Sequence, residues 1–176
     1  MLHRTEENDL RDGVDSIIAA SLVHELVSPG ERIRRNARES LVQLGSPAVD
    51  PLLEALRDDR KQMRWEAAKA LCDIASPRSA GALVDALEDE DGDVRWVAAE
   101  ALIAMRKNAI KPLLHALQER KNTPELREGA HHVLHDLNRG DLAAYCQPVL
   151  DALDGPAPDM RTPLAAHEVL EREAAL

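Results

Sequence analysis

Phenylalanine is absent from this 176-residue chain, and only Trp65, Trp96 and Tyr145 are aromatic. A β-sandwich or barrel fills its interior with aromatic and β-branched side chains, so that class is excluded. Two cysteines, Cys72 and Cys146, are too few for a disulfide scaffold, and a reducing cytoplasm is the expected setting. No apolar run approaches the ~20 residues of a transmembrane helix. The opening MLHRTEENDLRDG also lacks the apolar stretch of a secretory signal. No membrane contact is expected. Surplus positive charge is missing too: 22 Lys and Arg face 32 Asp and Glu, a net charge of −10. Neutralising phosphates needs the opposite balance, so nucleic acid is not an expected partner.

What the chain has in quantity is 27 Ala and 25 Leu, residues that favour helices with closely approaching backbones. The fold class is all-α. The apolar residues recur in phase. I-R-R-N-A-R-E-S-L begins at Ile33, M-R-W-E-A-A-K-A-L at Met63, V-R-W-V-A-A-E-A-L at Val94 and L-R-E-G-A-H-H-V-L at Leu126, spaced by 30, 31 and 32 residues. Between them lies a second pattern: P-L-L-E-A-L from Pro51, A-L-V-D-A-L from Ala82, P-L-L-H-A-L from Pro112 and P-V-L-D-A-L from Pro148.

Each unit predicts two antiparallel helices whose apolar stripes are buried only when neighbouring units stack. The prolines are expected in the opening turn of the first helix, where a backbone N–H has no partner to lose. Asp93 is the expected N-cap of its second helix, and Asp159 stands at a comparable point. The expected organisation is a polar arm over 1–12, then units over approximately 14–45, 46–75, 76–106 and 107–138. A last unit starts over 139–159, and a C-terminal cap helix covers 160–176.

These in-phase motifs, over roughly residues 14–153, resemble HEAT repeats of the phycobilin-lyase-like subclass, with its x-V-R-x-x-A-A-x-A-L signature. The resemblance implies a right-handed α-solenoid of armadillo/HEAT type whose second helices line the concave face. It implies that Arg34, Arg64, Arg95 and Arg127, one per unit, form a structural ladder to acidic side chains or helix-end carbonyls, rather than an anion-binding stripe.

A rotation of about 100° per residue puts Val94, Ala98, Ala101, Leu102 and Met105 on one face of their helix, with Trp96 and Glu100 opposite. The same rotation turns Trp65 and Lys69 outward. Exposed tryptophan is uncommon and is enriched at binding hot spots. Trp65 and Trp96 are therefore candidate anchors for a protein partner; the alternative is that each indole lies on a neighbouring helix. Arg35, Asn36, Glu39, Glu66, Lys69, Val97, Glu100, Glu128 and His132 form the surrounding mixed-charge rim.

Candidate chemistry is sparse. His131 and His135, four apart on one helix, can hold a metal between two imidazoles, but a third ligand is not evident in the sequence. The HEAT-like hydroxylase with a di-iron site uses His-Glu pairs in its second helices. Here Trp65-Glu66 and Trp96-Val97 stand at those positions, while His24-Glu25 and His167-Glu168 lie outside them. No G-x-S-x-G, phosphate loop or Cys/His nucleophile pair is present. The expected function is a non-catalytic scaffold or adaptor without cofactor, binding a protein partner on its concave face. The alternatives are an accessory subunit of a lyase-type enzyme, a metal-binding HEAT protein, or a homodimer formed through the tryptophan patch.

Overall fold

The computed structural model describes residues 3–119 and 123–174, with side chains over 13–119 and 123–172. Ten α-helices and no strands occur among them, and the chain divides into two compact units, Met1–Ser79 and Ala80–Leu176. Within each unit, pairs of antiparallel helices stack side by side, as in an α-solenoid of armadillo/HEAT type.

The first unit holds α1 (His3–Glu25), α2 (Glu31–Leu44), α3 (Ser46–Ala55) and α4 (Lys61–Ile74), followed by a 3₁₀ turn at Pro77–Ser79. Helix α1 takes in most of the polar N-terminal segment, although the side chains of 1–12 lie outside the described residues. First helices pack on first helices, α1 on α3, and second on second, α2 on α4. The interior is filled by fully buried Leu26, Leu41, Leu52 and Leu71 with alanines between them, which lets the helices approach closely.

The second unit begins with α5 (Ala80–Asp85), prolonged by a 3₁₀ turn at Ala86–Glu88. Then come α6 (Gly92–Met105), α7 (Lys107–Glu119), α8 (Pro124–Leu137), a 3₁₀ turn at Gly140–Leu142, α9 (Ala143–Leu153) and α10 (Pro158–Ala174). Here α5 packs on α7 and α6 on α8, repeating the rule of the first unit. The last two helices break it. Although P-V-L-D-A-L reads as a first helix, α9 packs on the second helix α8, and α10 packs on the first helix α7. The chain closes its second unit with a pair in reversed order.

Pro51, Pro112 and Pro148 are each the sixth residue of their helices, not members of an opening turn. For the first two the cause is the junction upstream. A single residue with positive φ, Gly45 (67°) or Arg106 (52°), reverses the chain, so α3 and α7 start well before their prolines. Ala75 (50°) follows α4 in a left-handed helical conformation, so a residue of positive φ stands directly after each of α2, α4 and α6, at positions 45, 75 and 106. Only Gly45 adopts such backbone freely; a side chain there costs of order 1–3 kcal/mol. Arg106→Gly is therefore expected to stabilise the chain by about 1 kcal/mol, after the glycine's added unfolded-state entropy, seen as a higher urea midpoint at unchanged slope.

The cap of α6 also differs from expectation. Asp91, not Asp93, accepts the backbone N–H groups of Asp93 (2.9 Å) and Val94 (3.3 Å), because the helix begins at Gly92. Asp159 likewise lies inside the first turn of α10 rather than before it.

Candidate functional site

The arginine column turns inward to its own loops. Arg34 Nη1 donates to the carbonyls of Ser28 (2.7 Å) and Pro29 (3.2 Å). Arg64 Nη1 donates to those of Asp58 and Asp59 (3.0 Å each), and Arg95 Nη1 to those of Asp89 (2.8 Å) and Glu90 (3.3 Å). In each case the guanidinium clamps carbonyls six and five residues upstream. It fastens the loop between the two helices of its own pair, and Arg34 Nε also stands 3.6 Å from the Glu66 carboxylate of the next pair. Arg127 is half-buried at the equivalent position. The loop before α4 is stiffened further by Arg60, whose hydrogen bonds hold the Asp58 carboxyl at about 2, below its ordinary 3.8.

In the first unit, Arg35, Asn36 and Glu39 are exposed along α2, with Arg35 Nε 3.9 Å from Glu39 Oε1. Trp65 is half-buried, and the Lys69 ammonium sits 4.9 Å from the centre of its ring, a cation–π contact within one helix. Glu66 departs from the outward face assigned to it. It is 3% exposed and lies between α2 and α4, where Arg38 donates to Oε2, Gln62 to Oε1 (3.1 Å), and Arg34 Nε stands 3.6 Å from Oε1. A rotation about one helix axis cannot foresee this, because the arginines that draw the carboxylate inward belong to the neighbouring helix.

The second unit carries an open groove of about 480 Å³ between α6 and α8. Trp96, 59% exposed, stands on its α6 wall. The His132 ring from α8 stacks on it at 4.8 Å and 27°, and His132 Nε2 lies 3.1 Å from Glu100 Oε1. Leu87, Ala99 and Gly129 supply apolar lining, and Glu125 and Glu128 stand exposed on the α8 side. Trp96, Glu100, Glu128 and His132 are thus brought together as one cluster, and Val97 is half-buried beside Trp96 in sequence.

The repeat register explains why a groove exists here. Arg38 and Ala99 are equivalent positions of α2 and α6, and Glu66 and Gly129 are equivalent positions of α4 and α8. In the first unit the slot between second helices is filled by the Arg38–Glu66 pair. In the second the same slot is lined by a methyl group and a glycine. A Cβ on Gly129 would meet Leu87 Cδ2 at 2.9 Å, so no side chain fits there without moving a fully buried leucine. Both substitutions are visible in the sequence as departures from the repeat. Their consequence is visible only once α6 and α8 are placed side by side.

The histidines do not converge on a common point. His131 and His135 stack at 6.0 Å and 17°, and His131 Nε2 lies 3.0 Å from Asp154 Oδ1. Among the described residues no three His, Cys, Asp or Glu side chains are grouped to hold a metal ion. Neither cysteine is in a disulfide, and burial pushes the Cys146 thiol up to about 11, away from nucleophilic use. Among the described residues no helix is long and apolar enough to cross a membrane.

Residues 19–103 match the HEAT-repeat family. The HEAT-matched stretch runs from within α1 to within α6 and takes in three of the four in-phase motifs. No curated protein matches the chain. Among solved structures, it is similar to an engineered protein at 19% identity and TM-score 0.44, over 88% of this chain and 79% of that one. A designed armadillo repeat protein aligns at 17% identity and TM-score 0.42 (86% and 81% covered). Another, solved in complex with the peptide (KR)4, aligns at 18% identity and TM-score 0.42 (89% and 87% covered).

Proposed function

We propose that this HEAT-type repeat protein is a non-catalytic scaffold that binds a protein partner on the face lined by its second helices, the concave face of a solenoid. The short units, 30 to 32 residues apart, with a V-R-x-x-A-A core at Val94 and its close variant M-R-x-x-A-A at Met63, support placing it in the phycobilin-lyase-like subclass. Two cysteines outside any disulfide suit a reducing cytoplasm. The observation that carries the reading is Trp96, a large apolar side chain left 59% exposed on the wall of a preformed groove. Such a side chain gains most by being covered, and a rigid groove binds without the entropy cost of ordering itself. Trp65 in the first unit is the second anchor, more buried and therefore the weaker contributor.

Affinity capture from the source cell with wild type and with Trp96→Ala tests this. Trp96→Ala is expected to keep its helicity and melting temperature, because an exposed side chain contributes little to folding, and to lose the captured partner. A capture profile unchanged in a folded Trp96→Ala chain would contradict the proposal.

A further inference from the structure

The α6–α8 groove has an internal template for its occupant. In the first unit, the equivalent slot takes an arginine side chain, Arg38, against a carboxylate, Glu66. In the second unit the arginine position is Ala99 and the carboxylate position Gly129, and the acids have moved outward to Glu125 and Glu128. The slot is left open where Arg38 and Glu66 stand in the first unit, with Glu125 and Glu128 among its lining residues.

We infer that the groove takes an arginine side chain from a basic segment of the protein partner, filling the place that Arg38 fills in the first unit. The inference rests on the scaffold reading and names the chemistry of its partner. Three features of the groove favour this guest over an acidic or purely apolar one. Trp96 is stacked by His132 and remains 59% exposed, an aromatic surface that a planar cation can cover. Glu125 and Glu128 have no hydrogen-bond or ion-pair partner among the described residues, and they stand three apart on one helix. The groove's own guanidinium, Arg95, donates to the Asp89 and Glu90 carbonyls and forms no ion pair with either Glu125 or Glu128. A volume of about 480 Å³ exceeds one arginine side chain and leaves room for the backbone that carries it. The formal charge of −10 steers a basic segment toward the chain.

The probe is a short glycine–serine peptide with one central arginine, titrated into the full-length ¹⁵N-labelled chain while the Trp96 indole Nε1–H resonance is followed. Companion peptides carry citrulline, which keeps the shape without the charge, or glutamate at the same place. The arginine peptide is expected to shift the resonance saturably, and citrulline to bind about tenfold more weakly. Glu125→Gln with Glu128→Gln, both exposed and so neutral to folding, is expected to weaken the arginine peptide about fivefold or more. Raised salt is expected to weaken it further. Equal binding of citrulline, preference for the glutamate peptide, or no saturable shift up to about 5 mM would overturn the inference. If those results came while Trp96→Ala still lost the captured partner, only the arginine assignment would fall. A capture profile insensitive to Trp96→Ala would instead remove the scaffold reading beneath it.

Discussion

Glu66→Ala is expected to destabilise the first unit by about 3 kcal/mol, the largest effect of any polar substitution considered for this chain. Its carboxylate is 3% exposed and answers Arg38, Arg34 and Gln62 together. Removing it leaves two partly buried guanidinium groups without their counter-charge, which costs more than the attraction of the intact pair is worth. Glu39, exposed in a 3.9 Å contact with Arg35, is the control, and Glu39→Ala is expected to change stability by less than about 0.5 kcal/mol. Replacing both members, Arg38→Leu with Glu66→Leu, is expected to recover most of the loss, because no charge is then left buried. Urea denaturation of the three variants beside wild type measures all of this. A Glu66→Ala chain as stable as wild type would mean that the carboxylate reaches solvent, as the sequence first suggested.

Arg64→Ala is the second large effect, about 2 kcal/mol. Arg64 is 7% exposed, and its Nη1 holds the Asp58 and Asp59 carbonyls that turn the chain from α3 into α4. The substitution removes charge-assisted hydrogen bonds and the packing of a long side-chain stem. The same measurement separates the two readings of the arginine column. A structural clamp loses stability on truncation, whereas a solvent-facing anion stripe would lose anion binding and keep its denaturation midpoint.

The fold was open to reading because each signal repeats. Motifs spaced by 30, 31 and 32 residues locate the helix pairs, and the alanine-rich register indicates which faces pack. The exposure of Trp96 follows from the same rotation. What escaped the sequence depends on a neighbour. Glu66 is drawn inward by Arg38 of another helix, and Trp96 receives the His132 ring from α8. The prolines sit mid-helix because single-residue junctions at Gly45 and Arg106 start α3 and α7 early, and a positive φ at an arginine has no signature in composition. The reversal of α9 and α10 also leaves no mark, since both helices carry ordinary apolar stripes and only their contacts with α8 and α7 reveal it. Trp65 and Trp96 occupy one register position yet end up in different surroundings, because the residue beside each indole, Lys69 or His132, is not fixed by the repeat.

The measurement that bears most directly on the central claim uses the chain's two tryptophans. Trp65→Phe leaves Trp96 as the sole indole, and acrylamide quenching of its fluorescence reports how open that side chain is. With the captured partner added, quenching is expected to fall severalfold as the groove is covered, while the Trp65→Phe change, which keeps an aromatic ring at the weaker anchor, costs only a small part of the affinity. Full binding of the partner with Trp96 quenched as freely as before would contradict the account, because the partner would then sit elsewhere on the chain.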